Sequence, residues 1–426
     1  MKTCILTFGA ALFAARLIAA PVATADYTAH EWGTFTSVQG ADGVQIEWNP
    51  LLLTELPKFV YDRNRPLGDK PGAARVPVLL TKTALVARQR LETPVIYFYS
   101  DKEQTVDVTV DFPEGNVTEW YPQQNPLPRS IVRKGEPAAR WQKLRVLSPE
   151  TKAPAFPHEA TGSHYYAARE TDANPVQIDV PGASKETDKF VFYRGVGRFQ
   201  APLNARLEGE GAQILQVANR GSEPLTDLFV YEVVKDSARL WNVGALNPGG
   251  AQSITLNGKT TRDPLATVRQ KLATAMEAAL TRAGLYPREA AAMVKTWDDA
   301  WFAEPGLRVL YVLPRAWTDR VLPLKLEPAP RAIERVMVGR AELITPEMER
   351  SLHTQIERYR MGDPATRTAA IESARSIGLG RFAEPTVRRL ALSDPQNREF
   401  NNAAWELLWA AFAPPTTAAP LTAKKD

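Results

Sequence analysis

Thr105-Val106-Asp107-Val108-Thr109-Val110-Asp111-Phe112 alternates polar and apolar side chains without a break. Successive side chains of a strand point to opposite faces, so this octet predicts a strand with Val106, Val108, Val110 and Phe112 on one buried face. Val95-Ile96-Tyr97-Phe98-Tyr99, just upstream, is apolar throughout and predicts a strand covered on both sides. Working outward, further strand patterns fall at 117–121, 143–147, 164–168 and 176–180, then at 190–193, 214–218, 229–233, 240–243 and 253–256. Turn residues such as Asn219-Arg220-Gly221 and Asn247-Pro248-Gly249-Gly250 punctuate them. Short strands at this spacing predict a mainly β N-terminal half built of antiparallel β-sandwich modules.

The pattern changes after about residue 260. Leu265, Val268, Leu272, Met276 and Leu280 step by three or four and form one apolar helical stripe ending at Gly284. Pro287 opens a second helix running to Trp301, and 307–313 and 333–338 return to strand character. Thr345-Pro346 combines an N-cap with a proline at the first helical position. Short amphipathic helices are expected near 365–377, 381–391 and 396–412, so an α+β part gives way to an all-α one.

The first residues read as an export leader. Lys2 supplies the positive end, an apolar run follows from Ile5 to Ala20, and Ala23-Thr24-Ala25 supplies a small-x-small cleavage pattern. The expected organisation is therefore a signal peptide (1–25), a β-rich domain (26–182), a β-sandwich-like domain (183–260), an α+β region (261–344), a helical region (345–413) and a disordered tail (414–426). The mature chain is expected to start at Asp26 and to work in the periplasm or outside the cell. Cys4 is the only cysteine and would leave with the leader, which excludes disulfides, thiolate nucleophiles and cysteine-based metal sites. A formal charge of +4 over 100 Lys, Arg, Asp and Glu residues gives no electrostatic drive toward nucleic acid. No segment is long and apolar enough to predict a membrane span.

Three blocks stand out from this background. They are His30-Glu31-Trp32-Gly33-Thr34-Phe35-Thr36-Ser37, Tyr193-Arg194-Gly195-Val196-Gly197, and Gly284-Leu285-Tyr286 with Thr296-Trp297. In these blocks the chain resembles an uncharacterised group of secreted bacterial proteins. The resemblance implies export and carries no activity, ligand or catalytic residue with it.

Four histidines are present, and His30, His158 and His164 all lie in the first region. They are candidate ligands for a divalent metal, with Glu31 or Glu159 as an acid/base and Glu170 and Asp172 as further oxygen donors. Their spacing matches no helical zinc motif, so the competing expectation is three unrelated polar groups. A terminal-histidine copper site would require cleavage after Ala29, which places Tyr27 where a small residue is demanded. Asp298, Asp299 and Glu304 form an acidic group, but adjacent helical residues diverge by about 100°, so a solvated face is expected instead of a carboxylate pair. Tyr193–Gly197 lacks the third glycine of a dinucleotide fingerprint. Neither a nucleophile elbow nor a phosphate-binding P-loop occurs. Ten tryptophans, with Trp32, Trp48, Trp120 and Trp141 in the first region, are expected to fill cores, the alternative being platforms for an extracellular polysaccharide. Two functions follow from these readings: a non-catalytic envelope or extracellular binding or assembly protein, or a metal-dependent hydrolase or oxidase acting on an extracellular polymer.

Overall fold

The computed structural model describes residues 25–50, 56–63, 86–127, 138–152, 154–160, 163–182, 184–257 and 261–412. Residues 1–24 of the expected leader, Cys4 among them, and residues 414–426 of the expected tail lie outside these residues. In chain order the strands begin with β1 (Ala25–Gln39), β2 (Tyr61–Asp62), β3 (Gln89–Tyr99), β4 (Gln104–Val110), β5 (Gly115–Tyr121), β6 (Ala139–Val146), β7 (Val176–Ile178), β8 (Glu186–Asp188) and β9 (Val191–Gly197). They continue with β10 (Leu203–Glu208), β11 (Ile214–Asn219), β12 (Leu225–Val234), β13 (Ser237–Leu246), β14 (Ala251–Thr255), β15 (Asp263–Pro264), β16 (Gly306–Val312), β17 (Leu324–Glu327) and β18 (Pro330–Leu343). The α-helices are α1 (Leu265–Arg282), α2 (Pro287–Phe302), α3 (Arg315–Val321), α4 (Pro346–Met361), α5 (Pro364–Ser376), α6 (Ala383–Ser393) and α7 (Arg398–Phe412).

A mixed architecture results, with large sheets in the N-terminal half and helices toward the C-terminus. Ten strands form the main sheet in the order β15-β13-β12-β16-β18-β1-β3-β9-β5-β2. Strands from 26–182, 183–260 and 261–344 thus share one sheet, so the three segments are welded together at this level. At its centre β1 runs parallel to β18, with Thr28 opposite Ala332 and Gln39 opposite Leu343, and antiparallel to β3. Local sequence cannot foresee a pairing across some three hundred residues. Being central explains the unbroken apolar run in β3: Val95, Ile96, Tyr97 and Phe98 are fully buried.

The alternating octet is β4 and the turn after it. Val106, Val108, Val110 and Phe112 are buried, and Thr109 faces outward between Arg140 and Lys325 of the neighbouring strands. β4 belongs to a second sheet, β17-β4-β6-β7-β8, and a third is β10-β11-β14. Trp141 of β6 reaches Tyr193 of β9 in the main sheet, with ring centroids 6.4 Å apart, so the second sheet is layered on the first. Trp32, Trp48, Trp120 and Trp141 are all at most 1 % exposed. Trp32, Trp120 and Trp141 belong to the main core and Trp48 to that of the C-terminal helices, so none of the four offers a surface for a polysaccharide; bulky indoles repay burial better than exposure.

Segment 164–168 is not a strand. His164–Arg169 is a short 3-10 helix whose N-cap, Ser163, accepts from the Tyr165 amide. Six residues are too few for a period of two to be told from a period of three. The C-terminal helices form their own small core, in which Leu352, Ile356, Phe382 and Leu407 pack on Val38 and Trp48. Thr345 caps α4 and Asp363 caps α5 through side-chain oxygens, as the sequence predicts for Thr345.

Candidate functional site

Helix α2 lies across the main sheet, and the ends of the helix explain much of the chemistry beneath it. At its start, Glu289 accepts from the Tyr286 amide at 2.8 Å, from Tyr99 Oη at 2.7 Å, and pairs with His30 Nδ1 at 2.7 Å. His30 is 2 % exposed and is sandwiched against Tyr286, with centroids 4.4 Å apart. At its end, the free carbonyls of Ala300 and Trp301 accept from Arg340 and Arg308. Cations suit this end because the helix dipole and the unpaired carbonyls both favour positive charge.

The candidate ligands do not meet. His30 lies under the first turn of α2. His164 is half-exposed beside Trp297, its Nδ1 2.8 Å from Thr296 O and 3.3 Å from Asp299. Thr296 is seven residues beyond Glu289, about 10 Å along the helix, whereas ligands to one ion must each approach to about 2.0–2.2 Å. His158 is exposed and stacks on Tyr166. Among the described residues no three His, Cys, Asp or Glu side chains are grouped so as to hold a metal. Glu31 is fully buried with both oxygens engaged, one by Tyr193 Oη and one by Arg335 Nε at 2.6 Å. Glu159 accepts from the Lys58 amide. Glu170 pairs with Lys295, and Asp172 with Arg288. Each expected acid, base or oxygen donor is therefore tied into the fold at a separate place.

The structure places a different cluster in the sheet itself. Arg194 of β9, Arg90 and Glu92 of β3, Thr36 of β1, Arg340 and Glu342 of β18, and Arg308 of β16 come from five adjacent strands, a row about 20 Å long. All are at most 5 % exposed. Glu92 accepts from Thr36 Oγ1 at 2.6 Å and receives Arg381 Nη1 on both oxygens at 2.9 Å. Glu304, after α2, accepts from Arg340 at 2.7 Å and lies 3.4 Å from Arg381 Nε. The expected acidic group 298–304 is thus mostly paired: Asp298 binds Arg269, and Asp299 lies beside His164.

At the β9 end the row opens into a cleft of about 620 Å³ between the sheet, the 163–167 turn, the second half of α2 and Arg381. Arg90, Arg194, Arg381 and Trp297 line it, and His164 and Lys295 stand at its exposed rim. Its cations are incompletely satisfied. Arg194 Nε and Nη1, Arg90 Nε, Arg381 Nε and the Trp297 indole N–H are buried and make no hydrogen bond to any described residue. Arg90 Nε comes no nearer than 3.7 Å to Glu92. Burial, with Arg194 and Arg381 close by, pushes the Arg90 guanidinium down to about 9, and burial lowers that of Arg194 as well. The carboxylates of Glu92, Asp298, Asp299 and Glu304 line the same cleft and balance the charges of Arg90, Arg194, Arg381 and Lys295, so what the site has in excess is buried N–H donors and room.

Sequence reasoning missed this row because charges alternating with apolar residues read as the solvated face of a strand. A signal was present: Arg308 in Leu307-Arg308-Val309-Leu310 and Arg340 in Gly339-Arg340-Ala341 interrupt otherwise apolar strands.

The carboxylates of the row predict acid sensitivity. Burial raises Glu304, but Arg381, Arg340 and Arg308 outweigh it and hold the group at about 2. Glu92 is likewise held well below the usual carboxylate range, burial being outweighed by Arg381 and Arg90. A depressed folded-state value stabilises the fold above the unfolded value of 4.5 and is lost as pH falls toward the folded one. The urea midpoint should therefore fall steeply between about pH 4.5 and 2, and Arg381→Met should flatten that slope. An unchanged slope in Arg381→Met would contradict this account.

The three sequence blocks noted above touch one another: Tyr193 bonds Glu31 and Tyr286 packs on His30, while of their residues Arg194 and Trp297 line the cleft. No protein-family description matches the chain, and no curated protein matches it in sequence. Among solved structures it overlaps the Fcho1 mu homology domain of Danio rerio with bound Eps15 peptide, at 9 % identity over 76 % of this chain and 99 % of that one, TM-score 0.31. It also overlaps the yeast delta-COP-I mu-homology domain at 8 % identity, over 75 % and 98 % of the two chains, TM-score 0.30.

Proposed function

We propose that the chain is an exported, non-catalytic binding protein that receives a small anionic ligand in the Arg90–Arg194–Arg381 cleft. The observation that carries this is Arg194, which lines the cleft at 5 % exposure with two N–H donors lacking an acceptor among the described residues. An unmade hydrogen bond on a buried donor costs about 1–3 kcal/mol, more for a charged group, so a fold that keeps several is compensated when a ligand supplies acceptors. A periplasmic or extracellular place of work fits the leader-like residues 1–25. Strand β1 starts at Ala25, so a chain opening at Asp26 keeps every pairing with β18 from Thr28 onward. No helix among the described residues is long and apolar enough to cross a membrane.

Two measurements test the reading. N-terminal sequencing of the exported protein should give Asp26; a start at His30 or an intact Met1 would overturn the export half. Native mass spectrometry against a mixture of small carboxylates, phosphates and sulfates should show a one-to-one complex that disappears in Arg90→Met/Arg194→Met. Failure of every anion to bind, or stoichiometric metal lost in His164→Ala, would replace the binding reading with another.

A further inference from the structure

We infer that the ligand is a phosphate or sulfate monoester, its tetrahedral head group on Arg90, Arg194 and Arg381 and its organic part along the exposed His164 ring. The inference rests on the cleft being a binding site, as proposed above, and names the chemistry it selects. Unpartnered donors come from four elements: Arg194 from β9, Arg90 from β3, Trp297 from α2, and Arg381 from the 380–382 turn before α6. A carboxylate presents two oxygens in one plane and is well served by a single guanidinium fork. A tetrahedral monoester presents three oxygens in three directions, which suits donors arriving from separate elements. Arg194 offers an adjacent Nε and Nη1 pair for two of these oxygens. Arg90 and Arg381 each keep one Nε–H that makes no hydrogen bond, lying 3.7 Å from Glu92 and 3.4 Å from Glu304 respectively. Glu92 and Glu304 keep Arg90 and Arg381 in place, and Arg194 presents the paired donor edge to the guest.

Size argues for an organic part. The cleft of about 620 Å³ lies in the roughly 300–1,000 Å³ range of small-molecule pockets and exceeds what one inorganic ion fills. Trp297 is 3 % exposed and its ring lies between His164 and Trp301, so it turns an edge to the cleft, and the half-exposed His164 ring is the aromatic surface beside the head-group site.

Calorimetric titration of the chain from Asp26 onward with phenyl phosphate, phenyl sulfate, benzoate and inorganic phosphate tests this, since the first three share a ring and differ in head group. The phenyl phosphate or phenyl sulfate complex should be tighter than the benzoate complex by about 10-fold or more, and Arg194→Met should weaken it by about 10- to 100-fold. Arg194→Lys keeps the charge without the paired donors and should fall between. Arg194 also lies near Glu119 and Glu92, so the melting temperature of each variant without ligand is recorded beside its affinity. Benzoate binding as tightly as the esters would overturn the head-group assignment while leaving the binding reading intact. Inorganic phosphate binding as tightly as phenyl phosphate would overturn the organic part. Unaltered ester binding in both Arg194→Met and Arg90→Met would remove the cleft from the proposal, and Arg90→Met decides the matter if Arg194→Met does not fold.

Discussion

Glu342→Ala is expected to lower the melting temperature by about 10 °C or more, or to prevent folding outright. Glu342 sits between two arginines, accepting from Arg308 Nε at 3.1 Å and from Arg340 Nη2 at 2.7 Å. Both guanidiniums are fully buried, and Glu342 is 3 % exposed. Removing it leaves two like charges together in a low-dielectric layer, with only the carbonyls of α2 and its following turn, and Glu304, to hold them. Breaking a buried ion pair from one side costs about 3–5 kcal/mol, a large part of the about 5–15 kcal/mol that keeps a domain folded. Glu327→Ala is the control. It removes a pair with Lys325 whose side chains are 59 % and 68 % exposed, and such pairs contribute at most about 1 kcal/mol. Equal melting temperatures for the two variants would show that the charged row is not under tension.

The second large effect is Val108→Asp, which should leave no folded protein, while Thr109→Asp should stay within about 0.5 kcal/mol of the parent. Val108 is fully buried between the second sheet and the rest of the core. A carboxylate there meets neither water nor a cation, and it would have to fold neutral or not at all. Its neighbour in sequence points the other way. Thr109 stands opposite Arg140 on one side and Lys325 on the other, so an aspartate gains two cations at the surface. Chemical denaturation of both variants checks the pair, and comparable losses would mean that the strand's faces are misassigned.

The sequence made the strands and caps readable because their signals are local. Period-two alternation marks β4, an apolar run marks the doubly covered β3, and Thr345-Pro346 marks the start of α4. The site was not readable for the opposite reason. Arg90, Arg194, Arg308 and Arg340 sit in four strands spread along the chain from residue 90 to residue 340, and only the long-range sheet order brings them side by side. Their burial depends on α2 and Arg381 lying over them, which nothing adjacent in sequence announces. Histidine scarcity drew attention to His30, His158 and His164, yet a side chain's chemistry shows what it could bind and not which neighbours it will meet.

The parallel pairing of β1 with β18 also governs timing. Thr28 finds Ala332 only after nearly all of the main sheet's residues exist, so the central seam closes last and the chain stays open until its C-terminal third arrives. A topology with such distant contacts condenses slowly, since a long loop must be closed before the pairing repays it. For a polypeptide exported as proposed, that delay is an asset. An early-closing barrel or bundle would have to be pulled apart at the membrane, whereas a chain with this topology, if exported as proposed, would reach the far side still threadable and complete its seam there.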